Sequence, residues 1–430
     1  MHFYIRDNYL YCEEIKVKDI QDTVQDSPFY LYSASQLRVN VAAYTEALSS
    51  LPARVSYAVK ANGNLTLLKI LRDLGCGATL VSGNELRLAL LAGFPPGDMI
   101  LNGNGKQRDE LALAAQHGVM INIDSEFDLE HIAQAAHDAD KPVDVLLRVN
   151  PDLQPDVHPY VATGMRDSKF GIRTEYLTWF LERLKRTPRL HLVGLHCHLG
   201  STIKDVQVFR DAAILLSDLS TSIRQQGFDL RYLNLGGGLG IDYERAGETP
   251  TPRELIDALR GLLPDGLTLI VEPGRSIVGS AGVLICRVIG VKHRSNDRDG
   301  GKHFIVTDGS MATLIRPALY GAYHHIDFIE PVDGEPRVFD IVGPVCESAD
   351  FLGKARRLPT PREDAGLVVY DAGAYGYAMS SSYNLQLRPA EYLVDGDQVT
   401  QIRRAENFNN VVLALSPLSV IMPRVGEERP

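Results

Sequence analysis

Val55-Ser56-Tyr57-Ala58-Val59-Lys60-Ala61-Asn62-Gly63-Asn64 opens as an apolar, β-branched run and stops on a lysine and a short polar turn. The run reads as a strand, and the helical periodicity of Leu65–Leu74 follows it directly. Two α/β architectures begin in this way. A doubly wound, dinucleotide-binding sheet carries G-x-G-x-x-G after its first strand, whereas this chain reads KANGN. The pattern then recurs along the chain. Ala78–Val81, Asp98–Leu101, Met120–Ile123, Val143–Val149, Leu190–His196, Leu230–Leu235 and Leu267–Val271 read as further strands. Asn84–Ala92, Arg108–His117 and Glu126–Ala136 read as helices between them. Eight alternating units over roughly 250 residues have the size of a TIM (β/α)8 barrel, and that is the expected fold.

The character changes after about Ile285. Phe304–Val306, Val338–Val342, Gly366–Tyr370 and Val411–Leu415 read as strands joined by loops rich in Gly, Pro and Asp. The segment Tyr4–Tyr32, ahead of the first barrel helix, also alternates like strands. The expectation is an α/β chain with a barrel over residues 35–283 and a β-rich second domain from residues 1–34 and 284–430. A length of 430 residues suits two domains.

Composition narrows the class of function. With 44 basic against 54 acidic residues the net charge is −10, which disfavours a nucleic-acid partner. No apolar run reaches the length of a membrane span, and the N-terminal stretch has no signal-peptide apolar region. No Arg/Ser-rich, acid-poor transit peptide is present either. The expected location is the cytoplasm, with the plastid stroma following only if such a leader has been removed. The five cysteines, Cys12, Cys76, Cys197, Cys286 and Cys346, are irregularly spaced without a CxxC pair. They suit a reducing compartment and give no support to a structural metal site.

In a TIM barrel the chemistry sits at the C-terminal ends of the strands. Strand one ends in Lys60, strand five in Arg148 and strand six in His196-Cys197-His198-Leu199-Gly200-Ser201. Strand seven ends in Gly236-Gly237-Gly238 and strand eight in Glu272-Pro273-Gly274-Arg275. A lysine there is either a loop residue reaching solvent or a desolvated amine that attacks an aldehyde cofactor as a Schiff-base lysine. The run GGGLG is either a tight turn or an anion cradle, because glycine leaves backbone N–H groups open to close approach. The two loops that carry GGG and EPGR are those with which TIM barrels often bind phosphate, and Ser201 adds a hydroxyl. Glu272 suits a protonated pyridine nitrogen, or else a salt bridge to Arg275. His198 shares a strand face with His196, so one imidazole stacks on a cofactor ring or the two form part of a metal pair. No third metal ligand stands at suitable spacing, and His196 alternatively is a hydrogen-bonded core residue.

With these residues in place the chain resembles a known family. SYAVKAN (56–62), HPYVATG (158–164), SKFGI (168–172), HCHLGS (196–201), GGGLGIDY (236–243), VEPGRS (271–276), LIRPALYGAYH (314–324), GPVCESAD (343–350) and DAGAYG (371–376) are similar, in this order, to the motifs of the diaminopimelate decarboxylases. These are fold-type III pyridoxal-phosphate decarboxylases, which join an alanine-racemase-like barrel to a β domain. The resemblance implies pyridoxal 5'-phosphate carried by Lys60, with His198 stacking on its ring and Glu272 facing its nitrogen. It implies that Ser201, Gly238, Gly274 and Arg275 surround the phosphate and that Tyr375 touches cofactor and substrate. Arg275, Arg316 and Tyr320 are implied to bind a substrate carboxylate, and Glu347 the substrate amine. Cys346 is implied to be the acid that returns a proton to Cα, reaching the partner subunit's site in an obligate homodimer. A thiol that holds its proton at neutral pH suits that task, although a lone cysteine is more commonly a buried apolar residue. Two positions depart from the commonest pattern: Thr79 stands where many relatives have Asp, and Ala312-Thr313 where many have Asn-Asp.

The implied reaction is decarboxylation of meso-2,6-diaminopimelate to L-lysine and carbon dioxide, the last step of lysine biosynthesis. The alternatives are a related decarboxylase of ornithine, arginine or a carrier-bound amino acid, a racemase, or a non-catalytic cofactor-binding protein. The other decarboxylase substrates lack a second amino-acid head and do not call for the Arg316, Tyr320 and Glu347 set.

Overall fold

The structure is a computed structural model that describes residues 2–153, 157, 158, 164, 168–293 and 302–415. The barrel strands are β1 (Ala53–Ala58), β2 (Gly77–Leu80), β3 (Met99–Leu101), β4 (Met120–Ile123), β5 (Val143–Asn150), β6 (Leu190–His196), β7 (Tyr232–Asn234) and β8 (Thr268–Val271). Every neighbouring pair is parallel; β8 returns to β1, so the eight strands close on themselves. Parallel strands buried on both faces read as continuous apolar runs, as the fully buried Met120–Ile123 does.

Local chemistry sets the helix limits. The Ser82 and Ser125 side chains accept from the backbone N–H of Glu85 and Asp128, starting helices Gly83–Ala92 and Glu126–Asp138. Gly93 and Gly118 end helices Gly83–Ala92 and Arg108–His117 in the left-handed conformation, with φ of 87° and 73°.

The second body is a β-sheet built around the long strand β9 (Gly282–Lys292). It pairs antiparallel with Phe29–Ser33, His303–Thr307 and Gly366–Val369. Phe29–Ser33 lies parallel to Ala390–Asp395, so the N-terminal segment is an internal strand of this sheet. Phe3, Leu10, Val17, Phe29, Val283, Val368 and Val394 belong to one apolar core beneath it.

Two expectations are corrected. Val411–Leu415 lies in the helix Phe408–Leu415 rather than in a strand. A short apolar run has the same periodicity in either state; the side chain and backbone of Asn407 and Asn410 bond reciprocally, which favours a helical start. Tyr4–Tyr32 is not strand throughout: three short strands are followed by helix Val17–Thr23 before Phe29–Ser33. Most of the 158–164 motif lies outside the described residues.

Candidate active site

A cavity of about 470 Å³ opens at the C-terminal ends of the barrel strands. Lys60, His198, Ser201, Gly238, Glu272, Gly274, Arg275, Arg316, Tyr320 and Tyr375 all line it, together with Thr79, Asn102, Arg148 and His196. Cys346 and Glu347 do not line it; both are exposed on the second domain.

Lys60 follows β1 in a single turn of 3-10 helix, Val59–Ala61. Its side chain lines the cavity and is exposed there. The backbone that carries it is held by residues of the second body. Asn62 Nδ2 donates to Tyr32 Oη at 2.9 Å and to the Gly373 carbonyl at 3.1 Å. Tyr375 N–H donates to the Ala61 carbonyl at 2.8 Å, tying the DAGAYG loop to the lysine loop. Among the described residues Lys60 forms no ion pair.

Glu272, just past β8, is buried among donors. Asn234 Nδ2 donates to Oε1 at 2.8 Å, and Asn102 Nδ2 lies 3.2 Å from the same atom. His196 Nε2 is 3.2 Å from Oε2, while His196 Nδ1 accepts from Asn122 Nδ2 at 2.8 Å. Burial alone raises a carboxyl pKa, but His196 and the Asn234 amide hold Glu272 down at about 2. It is therefore an ionised carboxylate, and the salt bridge to Arg275 is not made. His196 is the hydrogen-bonded core histidine, with both ring nitrogens committed. The asparagines are residues that sequence reasoning missed. Each is a single amide in an apolar strand end, and a buried amide requires a partner. That requirement is the signal by which they are found.

His198 accepts the Gly237 N–H on Nδ1 at 3.2 Å. Burial, then the charges of Lys60 and Arg148, push its pKa well below the usual histidine range. It is a neutral ring. Gly236-Gly237-Gly238 packs between the loops that follow β6 and β8. A Cβ on Gly238, whose φ is +116°, would sit 2.3 Å from the Gly200 carbonyl oxygen. A close approach and a left-handed backbone both require glycine there.

Arg275 donates from Nη2 to Ser201 Oγ at 2.8 Å and from Nη1 to Tyr243 Oη at 2.7 Å. Arg316 donates from Nε to His324 Nε2 at 3.3 Å. Both guanidinium groups are buried, and among the described residues neither forms an ion pair. Arg148, by contrast, is paired with Asp124 at 3.2 Å. Of the two departures, Thr79 does face the cavity, with its hydroxyl 2.9 Å from Ser56 Oγ. Ala312 and Thr313 are buried and do not line it, Thr313 Oγ1 accepting from Ser310 N–H.

An amine open to the cavity, an ionised carboxylate, a neutral imidazole and a glycine cradle beside a serine hydroxyl and a guanidinium together fit a phosphorylated pyridine aldehyde. The fold and site define a pyridoxal-dependent decarboxylase: residues 34–279 match the family model for the pyridoxal binding domain of these enzymes. A probable chloroplastic diaminopimelate decarboxylase of Oryza sativa subsp. japonica is 57% identical over 96% of this chain and 84% of its own length. The diaminopimelate decarboxylase of Aquifex aeolicus is 42% identical over 95% of this chain and 96% of its own. The crystal structure of the m. jannaschii diaminopimelate decarboxylase in complex with L-lysine superposes with a TM-score of 0.90 at 31% identity, covering 97% of this chain and 98% of that one. The chain belongs to the diaminopimelate decarboxylases, and its cofactor is pyridoxal phosphate.

Proposed function

We propose that this chain decarboxylates meso-2,6-diaminopimelate to L-lysine and carbon dioxide. The observation that carries the reading is the pair of buried guanidinium groups, Arg275 and Arg316, in the cavity that holds Lys60 and Glu272. Two cations without an acidic partner among the described residues suit a substrate that brings a second carboxylate. Ornithine and arginine have none.

Lys60 holds the cofactor. When bound, the cofactor supplies the electron sink for the carbon that loses carboxylate. Glu272, ionised and held by its three side-chain donors, keeps a proton on the ring nitrogen. The neutral ring of His198 stacks on the cofactor. Ser201, Gly238, Gly274 and Arg275 hold the phosphate, and Tyr375 meets both cofactor and substrate. Arg275, Arg316 and Tyr320 take the carboxylate of the non-reacting end, and Glu347 takes its amine. Cys346 returns a proton to Cα.

Cys346 and Glu347 serve the cavity of a second copy in a homodimer. Their exposure outside their own cavity supports this, as does the apolar surface of Tyr383, Leu385 and Leu387 beside them. Cys346 N–H donates to Asn384 Oδ1 at 2.7 Å within that surface. An exchanged mixture of Lys60→Ala and Cys346→Ala is the test. Each mixed dimer then holds one site lacking both residues and one site retaining both. With random pairing about half the dimers are mixed, so activity recovers to roughly a quarter of wild type. A mixture that demonstrably exchanges subunits yet stays at the level of the separate variants contradicts the shared site.

The domain division at 35–283 against 1–34 and 284–430 belongs to the same proposal. So does location: composition supports the cytoplasm, and the chloroplastic designation of the rice relative supports the plastid stroma as the alternative. No described helix is long and apolar enough to cross a membrane. Release of carbon dioxide with equimolar L-lysine from meso-diaminopimelate tests the reading directly.

A further inference from the structure

Two guanidinium groups placed together repel, and burial adds a second cost, so neither holds a fixed pose unless its surroundings impose one. For Arg316 burial comes first and the neighbouring charge of Arg275 adds to it, both opposing the charged form. Its Nε–H is nevertheless satisfied, by His324 Nε2 at 3.3 Å. His324 is free to accept there because its other nitrogen, Nδ1, donates to the Tyr370 carbonyl at 2.8 Å. Burial, and then Arg316, hold His324 neutral, with its pKa lowered to about 3. One edge of the guanidinium is thus capped by a rigid acceptor, and the terminal nitrogens remain for a ligand.

Tyr243, in the loop after β7, completes the arrangement. Its ring meets that of His324 edge-on at 5.0 Å, and Arg316 lies 5.1 Å over the same ring. Its hydroxyl accepts from Arg275 Nη1 at 2.7 Å. A single tyrosine therefore touches both guanidinium groups and the histidine that orients one of them.

We propose that His324 and Tyr243 are positioning residues that lock Arg316 and Arg275 into a preformed receptor for the carboxylate of the non-reacting end, and that they thereby set the preference for a substrate with two carboxylates. This rests on the reading of the cavity as a diaminopimelate site. L-lysine, the product, retains that carboxylate. D-lysine has the reacting centre of meso-diaminopimelate and lacks it.

The test uses the holoenzyme, with L-lysine binding measured by calorimetry and carbon dioxide release measured from meso-diaminopimelate and D-lysine. His324→Leu is expected to weaken L-lysine binding and raise KM for meso-diaminopimelate by about 10- to 100-fold, the range for losing a hydrogen bond to a charged group. Its kcat/KM for D-lysine and its visible spectrum stay as in wild type. His324→Gln, which keeps an acceptor for Arg316, restores most of the affinity. Tyr243→Phe shifts the preference in the same direction by a smaller factor and decides the matter if His324→Leu does not fold. Retained L-lysine affinity in a folded His324→Leu, equal losses on the two substrates, or an unshifted preference in Tyr243→Phe overturns the proposal. A wild-type enzyme with no preference for meso-diaminopimelate over D-lysine overturns the proposed function and this inference with it. A wild type with the preference and variants that keep it overturn the inference alone.

Discussion

Lys60→Ala is expected to lower decarboxylation by on the order of 10⁴-fold or more, the scale seen when a covalently acting residue is removed. The loss comes from chemistry rather than folding. Lys60 is exposed to the cavity, contributes no ion pair among the described residues, and sits on a loop held by Asn62 and by the Ala61 carbonyl rather than by its own side chain. Thermal stability of the apoprotein should therefore be close to wild type. Borohydride reduction of the wild-type holoenzyme should leave the phosphopyridoxyl mass on the peptide containing Lys60. A label on another lysine, or a Lys60→Ala enzyme within tenfold of wild type, contradicts the assignment.

Glu272→Gln is expected to lower kcat by about 10²- to 10³-fold, the range for losing one preorganised electrostatic contact in a water-excluded site. Two effects combine. The neutral amide no longer favours a proton on the ring nitrogen, so the electron sink weakens. The glutamine also has only one oxygen to offer Asn102, Asn234 and His196, and its own NH2 must face one of those donors. Cofactor remains bound through Lys60 and the phosphate cradle, so the expected signature is a falling kcat with cofactor occupancy retained and a shifted visible spectrum. A variant within threefold of wild type with an unaltered spectrum would show that Glu272 does not face the ring.

The barrel was legible because its signal is repeated. Each apolar run followed by a helical period supports the next, and the strand limits differ from expectation by at most two residues, as at Tyr232–Asn234. Site residues were legible where they stand at strand ends, since the fold assigns chemistry to that face. What escaped notice depends on contacts between distant segments. The amide ring around Glu272 draws on β3, β4 and β7, and no local pattern links them. The buried Lys106–Asp128 ion pair, at 2.5 Å, likewise joins the loop after β3 to the helix Glu126–Asp138. Val411–Leu415 reads as a strand yet lies in a helix, because a short apolar run has the same periodicity in either state. Which way the Lys60 side chain points was not legible either: its place after a buried strand suits a solvent-reaching lysine and a cofactor lysine equally, and only the turn Val59–Ala61 directs it to the cavity.

The proposed activity rests on a cavity that takes an amino acid at Lys60 and a second carboxylate at Arg275 and Arg316. Carbon dioxide release, followed across meso-diaminopimelate, its other stereoisomers, D-lysine, L-lysine, ornithine and arginine, tests that claim most directly. The predicted result is release from meso-diaminopimelate with one L-lysine formed for each carbon dioxide, and a kcat/KM on the order of 10³-fold or more above ornithine and arginine, because those ligands leave buried charges unpaired. Turnover of ornithine or arginine equal to or faster than that of meso-diaminopimelate would contradict it, as would interconversion of stereoisomers without carbon dioxide.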